Sequence, residues 1–191
     1  MYIDIPVNKD YKSVWDKSVP IVEVVKETYY RVYILDEIGH PQDYGELVEL
    51  MQDMDEHCKI VFYINTPGGV LDTASMLMDV IKNCKAKTVG KLSGTVASAG
   101  TMLALVMDEL YIAPFTSFMI HAWSGGASGK ANEIKAQQEH MEKETKKLFQ
   151  VVYKGFLTNR EINKILAGTD MWMNNEEVEK RLARRDSTIE Q

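Results

Sequence analysis

The sequence predicts an α/β fold organised around a parallel sheet, and three observations carry that prediction. Strand-like and helical segments alternate in β-α-β-α-β order from residue 29 onward, the connections are short, and the run KIVFYIN (59–65) is apolar almost throughout. Alternation with short connections implies parallel strands joined by right-handed crossovers, and an unbroken apolar run marks a strand covered on both faces. A chain of 191 residues, 45% hydrophobic and 26% charged, is long enough to close a core around such a sheet.

Residues 1–18 are polar and weakly patterned and read as a flexible arm; they lack the basic start and apolar run of a signal peptide. YYRVYIL (29–35), rich in aromatic and β-branched side chains, is a strand. Leu47, Leu50, Met51 and Met54 recur three and four apart and predict a helix within 42–56. After the strand at 59–65, Thr66-Pro67-Gly68-Gly69 turns the chain into a helix over about 71–83. AKTVGKL (86–92) is a third strand, VASAGTMLALVM (96–107) a third helix, and DELYIAP (108–114) and SFMIHAW (117–123) are two further strands.

Gly125-Gly126-Ala127-Ser128-Gly129 then leads into one long helix over 130–156. Its first turns are polar nearly all round, with Glu139/Lys143 and Glu142/Lys146 spaced for ion pairs, while its apolar residues gather late at Leu148, Val151, Val152 and Phe156. A helix so divided projects from the globule, is anchored at its base and suits assembly. Thr158-Asn159-Arg160-Glu161 has capping-box form and Asn174 with Glu177 resembles one, so two smaller helices follow. Residues 183–191 are left as a C-terminal tail.

The formal net charge of −6 comes without any basic block, which excludes nucleic acid as a main partner, because phosphate binding needs clustered Lys and Arg. No stretch approaches the roughly 18 apolar residues of a membrane span. Cys58 and Cys84 each sit near a predicted strand, as core thiols of a reduced, cytoplasmic protein would. His40, His57 and His140 fall in a loop, at a helix end and on the polar helix, with no metal-ligand spacing among them; neither a metal nor a cofactor is expected. Gly129-Lys130 does not belong to a phosphate loop, since the positions that must hold Gly and Ser or Thr hold Ser124 and Ala131.

Four places carry chemistry, each with a plain structural alternative. Ser98 lies in Gly94-Thr95-Val96-Ala97-Ser98-Ala99-Gly100, where a strand gives way to a helix. Small neighbours would let a substrate backbone approach an exposed nucleophile there, and the helix start aims free N–H groups at developing negative charge; the plain reading is a helix N-cap. His121 sits in the apolar run Phe118-Met119-Ile120-His121-Ala122-Trp123, as a general base or as a satisfied core histidine. Asp170 follows Gly168-Thr169 between two helices, as a charge partner or as a turn aspartate. Gly68-Gly69 ends a buried strand, where ligands of α/β folds gather, and either turns an N–H toward an oxyanion or simply makes a tight turn.

Taken together and in order, these segments resemble the proteolytic subunit family of the Clp protease. Ile64-Asn65-Thr66-Pro67-Gly68-Gly69 is similar to that family's Ile-Asn-Ser-Pro-Gly-Gly turn, and Gly94 to Gly100 looks like its nucleophile segment with Ser98 at the serine. Met119-Ile120-His121 looks like its Met-Ile-His, Gly125-Gly126 to Ile134 like the Gly-rich hairpin entering the handle helix, and Asp170-Met171-Trp172-Met173 like the stretch that carries the triad aspartate. The resemblance covers roughly residues 19–182. It implies a ClpP/crotonase-like α/β fold, with a parallel sheet and a handle region over about 124–157, and a serine endopeptidase. It further implies a Ser98-His121-Asp170 triad, an oxyanion hole from the N–H groups of Gly68 and Ala99, and a substrate strand lying along Gly69, Gly125, Gly126 and Ala127. The implied state is a homo-oligomer, a heptameric ring or a stacked double ring enclosing the sites, which takes unfolded protein or peptide substrates and an AAA+ ATPase unfoldase as partner.

The chain also departs from the family. Thr169 stands where an arginine commonly precedes the triad aspartate, Ala122-Trp123 replaces Gln-Pro after the histidine, and the axial loop does not match near residues 19–30. These departures bear on ring stacking, the substrate groove and ATPase docking, and leave the triad residues in place. The Met-rich, divergent character fits a phage-type member that processes capsid proteins. Three other readings compete. One is a signal-peptide-peptidase-like Ser/Lys enzyme using Lys91, another a crotonase that binds acyl-CoA, and the third a non-catalytic ring subunit.

Overall fold

A computed structural model describes residues 21–26 and 28–189, so the arm expected at 1–18 lies outside the described residues. Within them the chain runs β1 (Ile21–Lys26), β2 (Tyr29–Ile34), a 3₁₀ turn (Pro41–Tyr44), α1 (Gly45–Asp53) and β3 (Lys59–Thr66). It continues through α2 (Leu71–Asn83), β4 (Lys87–Ala97), α3 (Ala99–Leu105), β5 (Glu109–Ile112) and β6 (Ser117–Ile120). Then come α4 (Ala131–Val152), α5 (Asn159–Leu166), β7 (Met171–Asn174) and α6 (Asn175–Ile189). The strands form one sheet in the order β1-β2-β3-β4-β6-β7, with β5 also paired to β4. The pairings β2–β3, β3–β4, β4–β5 and β4–β6 are parallel; those at the two margins, β1–β2 and β6–β7, are antiparallel. The α/β class and the parallel sheet are as the sequence predicts.

The apolar run of β3 is the centre of the core: Ile60, Val61, Phe62 and Ile64 are all buried. The helical spacing of α2 turns Ala74, Leu77, Met78 and Ile81 into the core. Burial of a side chain such as Leu77 or Ile81 stabilises by about 1.5–3 kcal/mol. α3 is buried along its whole length, which is why its sequence is apolar all round rather than amphipathic. Cys58 and Cys84 are free thiols packed against this core.

Three details position the site and differ from the sequence reading. β4 does not stop at Leu92 but runs to Ala97, so α3 starts at Ala99 rather than at 96. The strand persists because the Asn65 side chain accepts a hydrogen bond from the Thr95 N–H (3.0 Å) and because Thr95–Ala97 find a new neighbour in β6 after Val89–Leu92 have paired with β5. β7 is a strand that the pattern did not announce; it pairs Met171 with Ile120 and Met173 with Phe118. α6 continues to Ile189, so 183–189 is helix and not tail. Its arginines explain this: Arg184 donates to the Phe156 carbonyl (2.8 Å) and Arg185 to that of Leu105 (3.1 Å).

α4 is divided as its sequence is. No residue from Ala131 to Glu144 is buried, whereas Thr145, Phe149 and Val152 are. Helix ends at Val152, short of the expected 156, and Phe156 is buried in the turn that follows. The ion pairs that form are Lys130–Glu133 (3.8 Å), Lys135–Glu139 (3.9 Å) and Glu144–Lys147 (2.7 Å), not the Glu139/Lys143 and Glu142/Lys146 pairs that the spacing suggested. Among the described residues no helix is long and apolar enough to cross a membrane.

Candidate active site

The site is built where β3, β4 and β6 end side by side. Ser98 is the single residue between β4 and α3, and it takes φ 52°, ψ −124°, a backbone conformation that L-residues with a side chain seldom adopt. Such strain persists only where the surroundings over-determine it. Here the Ser98 N–H donates to the Met119 carbonyl (2.8 Å), continuing the β4–β6 ladder, while the Ser98 carbonyl accepts from the Thr101 N–H (3.0 Å) and the Thr101 hydroxyl (2.7 Å). The Ser98 hydroxyl makes no N-cap hydrogen bond to α3. It lies 2.7 Å from Nε2 of His121 instead.

His121 follows the last residue of β6 and is half-buried. Because β6 pairs in parallel with the end of β4, with Met119 opposite Ala97, the histidine is delivered alongside the elbow. Contact between Oγ and Nε2 across 23 residues of sequence is therefore a product of strand register.

Gly68 closes the third side. Its φ is 104°, and a Cβ there would stand 2.6 Å from the Ser98 Cβ, 2.9 Å from the Ala97 carbonyl oxygen and 3.1 Å from the Ala99 nitrogen. Only glycine lets the turn lie this close to the elbow. The turn is held from behind: Thr66, fully buried, donates its hydroxyl to the Asp36 carbonyl (2.6 Å), and the Ile38 N–H donates to the Gly68 carbonyl (2.7 Å). The Gly68 N–H donates to the Thr66 hydroxyl (3.1 Å). Ala99, the first residue of α3, has no acceptor for its N–H within the helix. Gly69, φ 148°, is pressed against Ile38, with which it forms a bridge.

Asp170 immediately precedes β7, whose register sets Met171 against Ile120, so it stands at the position next to His121 across the strand pair. Its side chain is exposed, and no hydrogen bond joins it to His121 among the described residues. Gly125 and Gly126 are exposed and Ala127 is half-buried, in a segment without strand pairing between His121 and α4. Gly125 and Ala127 line a groove of about 740 Å³ that runs beside Trp123 and is bounded by α4 and α5. Lys91 lies on the exposed face of the sheet, its Nζ 5.2 Å over the ring of Tyr63. Among the described residues Ser98 is joined to His121 and no contact joins it to Lys91; a Ser98–Lys91 dyad does not form.

Sequence reasoning missed Thr101 and Tyr153. Tyr153, at the end of α4 and fully buried, places its hydroxyl 2.7 Å from that of Thr101, which in turn holds the Ser98 carbonyl. Burial pushes the Tyr153 phenol well above its usual pKa and keeps it protonated.

An α/β sheet that sets a histidine against a serine on a strained elbow belongs to the class of serine-type hydrolases. The comparisons with known proteins make the class specific. The Clp protease family model matches residues 37–181. ATP-dependent Clp protease proteolytic subunit 2 of Pseudomonas aeruginosa is 32% identical over 122 residues, which is 62% of this chain and 60% of that protein. ATP-dependent Clp protease proteolytic subunit 3 of Rhizobium etli is 31% identical over 137 residues, 70% of this chain and 69% of the relative. The chain belongs to the Clp protease family, a family of serine-type endopeptidases, and its match spans about three fifths of the Pseudomonas relative's length.

Proposed function

We propose that the chain is a peptidase subunit that cleaves peptide bonds with Ser98 as nucleophile, His121 as general base and Asp170 as the group that orients His121. The observation that carries this reading is the 2.7 Å contact between Ser98 Oγ and His121 Nε2 at an elbow where the hydroxyl caps nothing. His121 takes the hydroxyl proton as Oγ attacks the peptide carbonyl, and the imidazolium then gives that proton to the leaving amine. Water, deprotonated by the same imidazole, releases the acyl group and restores the serine. Asp170 accepts from the Nδ1–H, fixing the tautomer that leaves Nε2 free, and stabilises the imidazolium.

The oxyanion sits between the N–H groups of Ala99 and Gly68, the latter leaving the Thr66 hydroxyl for a full negative charge, which is the stronger acceptor. Each such donor contributes about 2.7–4 kcal/mol to the transition state. The substrate backbone runs along Gly69 and Gly125–Ala127, where main-chain bonding gives little sequence preference.

Copies of the chain form a heptameric ring, and the exposed first half of α4 is the surface that interlocks two such rings, with the sites facing an enclosed chamber. The relatives' names describe an ATP-dependent proteolytic subunit, which supports an ATPase as partner; an unfoldase role for it, unfolded chains as substrate and a cytoplasmic setting complete the reading. No cofactor enters the reaction.

Fluorophosphonate labelling followed by peptide mass spectrometry, with light scattering on the same sample, tests this directly. Labelling at Ser98 of a ring-sized particle is expected, lost in Ser98→Ala and His121→Ala, with peptidase activity down by about 10⁴-fold or more. Labelling that survives His121→Ala would overturn the base assignment.

A further inference from the structure

We propose that Thr101 and Tyr153 are positioning residues for the oxyanion hole, aiming the Ala99 N–H through the Ser98–Ala99 peptide. The inference rests on the reading of Ser98 and Ala99 given above. It starts from the planarity of the peptide bond: in a trans peptide the C=O and N–H point in opposite directions. Whatever fixes the Ser98 carbonyl therefore fixes the Ala99 N–H. Two groups do so, the Thr101 N–H at 3.0 Å and the Thr101 hydroxyl at 2.7 Å. The Ala99 N–H is thereby turned the other way. A Cβ on Gly68 would stand 3.1 Å from the Ala99 nitrogen, so glycine at 68 keeps that N–H from being covered.

The hydroxyl chain has one consistent direction. Thr101 has a single hydroxyl proton and donates it to the Ser98 carbonyl. Its oxygen can then only accept from Tyr153, so the phenol donates at 2.7 Å. Hydrogen bonds in series polarise one another, and both side chains are fully buried, where such a chain is strongest. Tyr153 is held at the foot of α4 by its ring packing on Phe149, with centroids 4.8 Å apart, and by its own N–H donating to the Phe149 carbonyl (3.1 Å). The elbow is thus referenced to the handle helix and not only to the sheet.

The plainer account is that two buried hydroxyls have merely found partners. The two accounts differ in what substitutions do to turnover. Tyr153→Phe keeps the ring and removes the donor; Thr101→Val removes the link; Thr101→Ser retains it. If the link aims the oxyanion donor, kcat for a fluorogenic peptide falls about 5- to 20-fold in Tyr153→Phe and 10- to 100-fold in Thr101→Val, with KM unchanged, because the donor acts on the transition state. Thr101→Ser restores kcat to near the parent value. The double variant is no slower than Thr101→Val alone, since the Tyr153 effect runs through Thr101. Affinity for a peptide boronate, whose adduct places an oxygen in the hole, falls in parallel with kcat.

All variants are compared as assembled particles of parent size. Variants that lose thermal stability while kcat, KM and boronate affinity stay at parent values would overturn the inference and leave the triad intact. A parent protein in which Ser98 resists the fluorophosphonate would bring down the triad reading and this inference with it.

Discussion

Two regions of the molecule are built on opposite principles. Around Ser98 everything is in contact: α3 is buried throughout, Gly68 touches the elbow, and the foot of α4 reaches in through Tyr153. Between Trp123 and Glu144 no residue is buried, and the ion pairs of that stretch link neighbours on a single helix. The first region sets a geometry and the second leaves a surface open. They meet within one helix, α4, whose Lys135–Glu139 pair contributes a few tenths of a kcal/mol at most while Phe149 is fully enclosed. A helix can thus belong to the folding unit at one end and be free to meet another chain at the other.

The sharpest break of this contrast is Gly68→Ala. The added methyl would collide with Ser98 Cβ at 2.6 Å on a backbone with φ 104°, so the elbow must move. Peptidase activity is expected to fall by about 10³-fold or more, with a loss of stability of about 1–3 kcal/mol from the strain. Gly126→Ala in the open region, with nothing near the new methyl, should leave stability close to the parent value, as thermal melts would show.

Within α4, Phe149→Ala should cost about 3–5 kcal/mol and lower Tm by roughly 10 °C. Glu139→Ala should change stability by less than about 0.5 kcal/mol. Equal effects in calorimetry would abolish the division within α4.

A pH-dependent effect concerns Glu161, which receives two hydrogen bonds from Arg181 and two from Thr158. The Arg181 guanidinium holds its carboxyl at about 2, below the ordinary 4.5. A carboxylate with a depressed folded pKa contributes stability that is complete above the unfolded value and is lost as the pH falls toward the folded one. The parent should therefore exceed Glu161→Gln by about 2 kcal/mol at pH 6, allowing for partial exposure, and the gap should close between about pH 4.5 and pH 2. Denaturant unfolding at a series of pH values would show it, and a gap that widened toward acid would contradict the assignment.

What could be read from the sequence was local. The spacing of Leu77, Met78 and Ile81 is enough to place α2 at 71–83, and the apolar run 59–65 is enough to place β3 in the centre of the sheet. The end of β4 was misread because Val96-Ala97-Ser98-Ala99-Gly100 has helix-like composition, while what keeps it a strand is the side chain of Asn65, thirty residues earlier. β7 is four residues long, and its alternation of Met171 and Met173 against Trp172 and Asn174 is too brief to register as a period of two. The far end of α6 is tied to carbonyls 28 and 80 residues away, and the Thr101–Tyr153 contact spans 52; no pattern along the chain reports either. The pairing of Ser98 with His121 reached the sequence only through resemblance, because strand register is a property of the folded sheet.

The glycine pair at 68 and 69 is wedged between two backbones, Ile38 on one side and Ser98 on the other. The spacing across this part of the site is therefore gauged by atomic radii, with the thickness of a backbone as the shim. Contact distances of that kind do not lengthen with ionic strength and do not titrate. The gap between turn and elbow should keep its width across buffers in which the charged surface of the same molecule is thoroughly rearranged.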